Sequence, residues 1–336
     1  MKRSICVISG WIFALQLCAL VAVAQEQQFA NLGNFKLENG DVIRNCRIGY
    51  RTFGTLNQNK SNVIVVPTWA GGTTEQLKSN FGPGRLIDSA TYYVVAIDAL
   101  SNGVSSSPSN SRLQPRMRFP KFTLRDTVAT QHELLTRVLN IHHVKAVVGI
   151  SMGGMQAFQW LVSYPDFMDK AIPIVGSPRL APYDLMLWQA QISALMRDRD
   201  WKGGNYTANP ARALDFAFGE LLLTTPADYN RRKTREDVFA DLAKAQSDAH
   251  RFDANDKIRQ VQAMMQLDIS PAAAKTVKAK VLVVVAKYDH VVTPGPATEF
   301  ATLLGAKLLT LDSDCGHLST TCESSHLNDA IANFLR

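Results

Sequence analysis

Strands are predicted at 170–175, 279–285 and 307–311, and runs of consecutive apolar residues punctuate the chain at 63–66, 92–97, 146–148 and 281–285. Runs of this length without polar alternation suit strands buried on both faces. Ahead of them, residues 29–53 alternate polar and apolar positions around Asn39-Gly40, which predicts an antiparallel hairpin. Apolar spacing of three and four residues predicts helices at 125–139, capped by Thr123, and at 156–161, 296–304 and 324–335. Strands alternating with helices predict an α/β fold with a mostly parallel central sheet and helices on both faces. From Pro178 to about Ala274 no buried-strand run occurs, while 185–196 and 211–223 have helical spacing. The expected organisation is a core at 25–178, a helical insertion at 179–274 and a second part of the core at 275–336.

The amino terminus is set apart from this pattern. Lys2 and Arg3 precede an apolar run over residues 5–23, and Ala22-Val23-Ala24 ahead of Gln25 has a small-residue cleavage pattern. Residues 1–24 therefore read as a signal peptide, against the alternative of an uncleaved anchor. Export is expected, to the periplasm in a bacterium and by secretion otherwise, with no stable membrane insertion after cleavage. Leu17 before Cys18 is too bulky for a lipid-attachment site.

At 336 residues and 46% hydrophobic content the chain can bury a full core. Loss of the two cations Lys2 and Arg3 lowers the net charge from +7 to +5. No aromatic-interleaved basic stripe accompanies this excess, so nucleic acid is not an expected partner. The run Arg231-Arg232-Lys233 with Arg235 reads as a solvated helix end. Cys46, Cys315 and Cys322 remain after the leader, and Cys315 could pair with Cys322 around His317 or both could stay as thiols. No zinc-type spacing of cysteine and histidine occurs, and neither a metal nor a cofactor is expected.

The chemistry centres on Gly149-Ile150-Ser151-Met152-Gly153-Gly154, between a predicted strand and a predicted helix. Gly-x-Ser-x-Gly in that setting is a nucleophile elbow, where a strained turn projects the serine at the carboxyl end of a strand. A serine needs a base to take its proton and an acid to orient that base. The expected chain order is acid then histidine, each in a loop after a late strand. Asp289 and His317 occupy those loops. His290 precedes the last strand, His326 lies on the last helix, and His132, His142 and His143 belong to the helix before the elbow. Asp312 and Asp314 sit too close to His317 in sequence to orient it well. The N–H of Met152 and one from Ala70 or Gly71, after the first buried strand, are the expected oxyanion donors.

Thr55-Leu56-Asn57 with Ser61-Asn62, Phe81-Gly82-Pro83-Gly84, Phe119-Pro120 with Leu124-Arg125-Asp126, residues 148–157, Tyr164-Pro165-Asp166 and Ser177-Pro178-Arg179-Leu180 form a specific combination. Together they resemble the homoserine O-acetyltransferase family of α/β-hydrolase-fold enzymes, over about residues 45 to 330. The resemblance implies an acyl-enzyme mechanism on Ser151, Asp289 and His317. It also implies a helical lid after the sixth strand that can serve a homodimer.

Three pocket positions depart from that family. Biosynthetic members carry an aspartate after the catalytic histidine, where this chain has Leu318. Their lid arginine corresponds best to Phe218, and Trp69 stands where a small residue is usual. Unpaired ligand charges in such a site would cost several kcal/mol. The expected function is therefore an exported esterase-like hydrolase of small-molecule esters. The runner-up is an O-acyltransferase acting on an alcohol or amine, and the third reading is a non-catalytic binding protein on the same fold.

Overall fold

The apolar runs become one eight-stranded sheet in a computed structural model that describes residues 26–210, 212–247 and 252–336. The signal-peptide reading of residues 1–24 lies outside the described residues. The strands are β1 (Gln28–Lys36), β2 (Val42–Phe53), β3 (Val63–Pro67), β4 (Tyr93–Ile97), β5 (Val144–Ile150), β6 (Met168–Ile174), β7 (Lys280–Ala286) and β8 (Lys307–Leu311). Their order is β1-β2-β4-β3-β5-β6-β7-β8. β1 and β2 form the hairpin around Asn39-Gly40, with Phe35 opposite Ile43. β2 also runs antiparallel to β4, and every pairing from β4 to β8 is parallel.

The helices are α1 (Thr74–Leu77), α2 (Leu124–Glu133), α3 (Met152–Ser163), α4 (Pro182–Arg197), α5 (Arg212–Leu223), α6 (Pro226–Arg232), α7 (Arg235–Ser247), α8 (Ala254–Met265), α9 (Gly295–Leu304), α10 (Ser319–Cys322) and α11 (Ser324–Leu335). Successive strand residues point to opposite faces, so each strand feeds two cores. Val63, Val65, Val95, Val147 and Val283 pack with Leu124, Phe158 and Phe300 of α2, α3 and α9. Ile64, Val66, Val94, Val148 and Val284 pack with Leu77, Leu327 and Ile331 of α1 and α11. Burial on both faces explains why these strands read as continuous apolar runs. Helix α2 is shorter than its sequence pattern, because residues Leu134–Val138 continue it as a π-helix.

Between β6 and β7 the described chain contributes helices and 3₁₀ turns. Helix α8 is capped by Asp253, whose carboxylate accepts the N–H groups of Asn255 and Asp256. It is fastened to the chain following β4. Ser101 Oγ donates to the Asp256 carbonyl at 3.0 Å, Ser109 N–H to Asp256 Oδ1 at 2.9 Å, and Arg259 Nη2 to the Met117 carbonyl at 2.8 Å. Nine of its positions are buried, so α8 belongs to the body of the molecule and is not a solvated flap. No helix among the described residues is long and apolar enough to cross a membrane.

Candidate active site

Ser151 joins β5 to α3 with φ 58° and ψ −122°, a left-handed conformation that costs a non-glycine residue free energy. The turn closes so tightly that a Cβ on Gly149 would lie 2.1 Å from the Gly153 carbonyl oxygen. A Cβ on Gly153 would lie 2.7 Å from the Pro67 carbonyl oxygen. Crowding by the backbone is thus the reason for glycine two residues before and after the serine. The strained serine is held by its own N–H, which donates to the Ile174 carbonyl at 2.8 Å.

His317 follows β8 in a 3₁₀ turn, Gly316–Leu318. Its Nε2 lies 2.9 Å from Ser151 Oγ and its Nδ1 lies 2.6 Å from Asp289 Oδ2. The other carboxylate oxygen, Asp289 Oδ1, accepts the N–H groups of Val291 and Val292 at 3.0 Å each. Asp289 and His317 are both buried, at 4% and 6% exposure, so bulk water does not compete for these bonds. The serine, the base and the acid therefore form one continuous relay.

The histidine turn is braced from two sides. Cys315 and Cys322 are joined by a disulfide across seven positions. Helix α6 reaches the same turn through Thr225, whose Oγ1 donates to the Asp314 carbonyl, and through Arg231, which pairs with the Asp314 carboxylate. Arg231 and Arg232 also pair with the buried Asp228, and Lys233 with Asp241. The basic run lies at the exposed end of α6, as expected, and it is ion-paired as well: Asp228 belongs to the same helix, while Asp314 and Asp241 come from other stretches. The guanidinium of Arg231 holds the Asp314 carboxyl below the usual carboxylate range. Asp228, Asp314 and Cys315 stand close enough together to resemble a metal-ligand set. The sulfur is already in the disulfide and Arg231 occupies both carboxylates, so this donor set does not suit a cation.

The remaining histidines and acids have other partners. His290 Nε2 meets the Leu221 carbonyl at 2.8 Å, His143 pairs with Asp169, and His326 faces Glu323. His142 contacts Asn140, and His132 stacks on Tyr164, where burial pushes its imidazole below the usual value. Asp312 pairs with Lys287.

Met152 opens α3, so its N–H has no acceptor within the helix and faces the elbow. In the loop after β3, Thr68 N–H donates to the Ile97 carbonyl, Gly71 N–H to Gln260 Oε1 and Gly72 N–H to the Trp69 carbonyl. Trp69 and Ala70 thus hold the N–H groups this loop can offer an oxyanion. The indole of Trp69 lies over Gly72, where a Cβ would approach Nε1 to 2.4 Å.

Ser151 and His317 open onto a cavity of about 970 Å³. Trp69, Ala70, Leu222, Val261, Met264 and Leu318 line it, and α5 and α8 form much of its wall. Phe218 does not line this cavity, which corrects its sequence assignment. On α5 the inward stripe runs through Asp215, Gly219 and Leu222, at spacings of four and three residues, and Phe218 falls beside it. Sequence reasoning missed Asp215 and Lys257, which form an ion pair inside the cavity wall, and Gln260. Their helices carry no motif, and only the folded arrangement brings those residues to the wall of the cavity onto which Ser151 opens.

Residues 62–320 match the α/β-hydrolase-fold family. An ethyl acetate hydrolase of Pseudomonas veronii is 35% identical over 190 residues, 55% of this chain and 54% of its own length. The chain spans about half the length of the curated esterase-type relatives it matches. A homoserine O-acetyltransferase of Chloroherpeton thalassium is 30% identical, with 74% of this chain and 71% of that protein covered. Among solved structures, an acetylester hydrolase from Corynebacterium glutamicum superposes with a TM-score of 0.84 at 27% identity, covering 92% of this chain and 95% of that one.

Proposed function

Because the chain belongs to the α/β-hydrolase-fold family, in its homoserine O-acetyltransferase-like branch, we propose that it is a serine-dependent acyl hydrolase of esterase type. Ser151 Oγ attacks the ester carbonyl while His317 Nε2 takes its proton. Asp289 stabilises the imidazolium, and the N–H groups of Met152 and the Trp69-Ala70 loop hold the oxyanion. The alcohol leaves with the proton from His317, and the acyl group stays on Ser151. Water then attacks this acyl-enzyme, His317 taking its proton, and the carboxylic acid departs as Ser151 recovers its hydrogen.

The observation that carries this reading is the Ser151–His317–Asp289 relay, its base and acid buried and its serine facing a largely apolar cavity. Leu318 beside the histidine supports water or a neutral alcohol over an amino-acid acceptor. The ethyl acetate and acetylester hydrolases among the relatives favour short acyl groups. A second reading has its own support: the Asp215–Lys257 pair in the cavity wall offers both signs of charge to a zwitterionic acyl acceptor.

Purified protein should take up a fluorophosphonate and lose that labelling in Ser151→Ala; an unlabelled wild type would favour a binding protein instead. A panel of short esters, run with and without acetyl-CoA plus homoserine, separates the two enzymatic readings. CoA release that depends on homoserine and outpaces ester hydrolysis would replace the hydrolase by the transferase.

Export belongs to the same proposal. A disulfide beside the histidine suits an oxidising compartment, and Gln25 at the amino terminus of the mature protein would agree with cleavage after Ala24. Exposed Met186, Leu221 and Phe239 on α4, α5 and α7 are suited to a homodimer contact, which light scattering on the purified protein would test.

A further inference from the structure

An oxyanion hole works because its donors already point at the place where charge will develop. In this chain the ends of the donor loop are tied to the core. Thr68 N–H donates to the Ile97 carbonyl at 3.1 Å, and the Thr68 carbonyl accepts from Gln156 Nε2 at 3.0 Å. At the far end, the Gly72 carbonyl accepts from Asn102 Nδ2 at 2.9 Å and Thr74 N–H donates to Asp98 Oδ1 at 2.8 Å. Between them lie Trp69, Ala70 and Gly71, the stretch that must aim its N–H groups into the cavity.

That stretch is held from outside by Gln260 of α8. Gly71 N–H donates to Gln260 Oε1 at 2.8 Å, and Gln260 Nε2 donates to the Leu100 carbonyl at 2.9 Å. The glutamine is 1% exposed, so water does not replace either bond. Its two partners also determine the amide's orientation, since the oxygen must face the N–H and the nitrogen the carbonyl. Gly71 sits at φ +68°, with the Phe252 ring 2.9 Å from where a Cβ would lie. A glycine released from such a bond has both hands of φ open to it and can turn the Ala70–Gly71 peptide.

We infer that Gln260 is a positioning residue for the oxyanion hole, acting through the Gly71 N–H to hold the Trp69 and Ala70 donors in place. The inference rests on the acyl-enzyme reading above, and it gives the helical insertion a part in building the hole as well as the cavity wall. Gln260 touches no reacting atom. It acts from a helix 189 residues away in the chain, anchored in turn at Ser101, Ser109 and Met117.

Gln260→Met keeps the length of the side chain and removes both bonds; Gln260→Glu keeps the acceptor for Gly71 and removes the donor to Leu100. In Gln260→Met, kcat on a short ester should fall about 10- to 100-fold, with KM within about twofold, and Gln260→Glu should lie between it and wild type. Affinity for an alkyl boronate, which forms a tetrahedral adduct on Ser151, should fall by the same factor as kcat/KM. Fluorophosphonate incorporation at completion should stay at one label per chain, and the pH profile should not move. A Gln260→Met protein with wild-type kcat, or with a loss matched by a smaller labelled fraction, overturns the inference. Should that variant not fold, Gln260→Glu carries the test by the same kcat, KM and boronate readings. A wild type that consumes no ester sinks the hydrolase reading alone, because the boronate ratio between variant and wild type still reports on the hole.

Discussion

Arg231 clasps Asp314 with two hydrogen bonds, Nη1 to Oδ2 at 2.7 Å and Nη2 to Oδ1 at 2.8 Å, three residues before His317. The side chains are about half exposed, at 56% and 45%, so solvent screens the pair and it adds little to stability by itself. Its effect on the site depends on the second brace, the Cys315–Cys322 disulfide. Arg231→Ala should lower kcat only about two- to fivefold with the disulfide intact. Reduction by dithiothreitol should then cost Arg231→Ala more than it costs wild type. Multiplicative losses in the four combinations of variant and reductant would show that the two braces act independently.

Leu318 follows His317 and lines the cavity, where a carboxylate would change both the base and the acceptor site. Leu318→Asp should move the acid limb of the kcat/KM profile to higher pH, because a nearby negative charge favours the protonated imidazole. It should also raise acyl transfer to amine-bearing alcohols relative to hydrolysis. Product ratios from one ester in the presence of homoserine would check this, and an unchanged ratio counts against Leu318 as a determinant of the acceptor.

Burial pushes the Asp256 carboxyl from 3.8 up to about 8, Asp253 adds to the effect, and the bonds from Ser109 oppose it. The folded state then keeps a proton that the unfolded chain has released above about pH 4. This group's contribution to stability is full below that pH, declines as pH rises toward about 8, and is lost beyond it. Asp256→Asn should flatten the fall of Tm between pH 5 and 8. Thermal unfolding at three pH values would measure it, and an equal slope in both proteins would refute the assignment.

Asp215 and Lys257 face each other with side chains only 15% and 17% exposed. Asp215→Asn leaves the ammonium without its counter-charge and should cost about 1–3 kcal/mol by denaturant unfolding. Asp215→Leu with Lys257→Met should recover most of that stability, since an apolar pair fills the wall without a desolvated charge. If the pair receives a zwitterionic acceptor, the double variant hydrolyses neutral esters normally but loses transfer; retained transfer would remove that role.

The elbow is legible in sequence because its constraint is local: Gly149 and Gly153 are required by backbone atoms within a few residues or on the adjacent strand. Asp289 and His317 are legible by their order after β7 and β8, and the structure brings both to Ser151. Strands buried on both faces leave apolar runs that mark the sheet closely, whereas the π-helix after Glu133 leaves no mark because its side-chain spacing still looks helical. The insertion is harder. Phe218 or Asp215 faces the cavity according to how α5 is rotated, which its packing decides and its composition does not. Arg231 resembles any solvated arginine until Asp314, 83 residues later, folds against it. Gln260 is an ordinary polar residue of a helix until Gly71 is beside it.

Among the described residues, α8 is fastened at Gly71, Leu100, Ser101 and Met117, and the start of α6 at Asp314, so two parts of the insertion are tied directly to the core. The exposed residues Ser79, Arg85, Thr321 and Ser324 line the outer part of the cavity, so its outer margin carries polar side chains. A substrate of the proposed hydrolase would meet these polar side chains before the apolar wall formed by Leu222, Val261 and Met264.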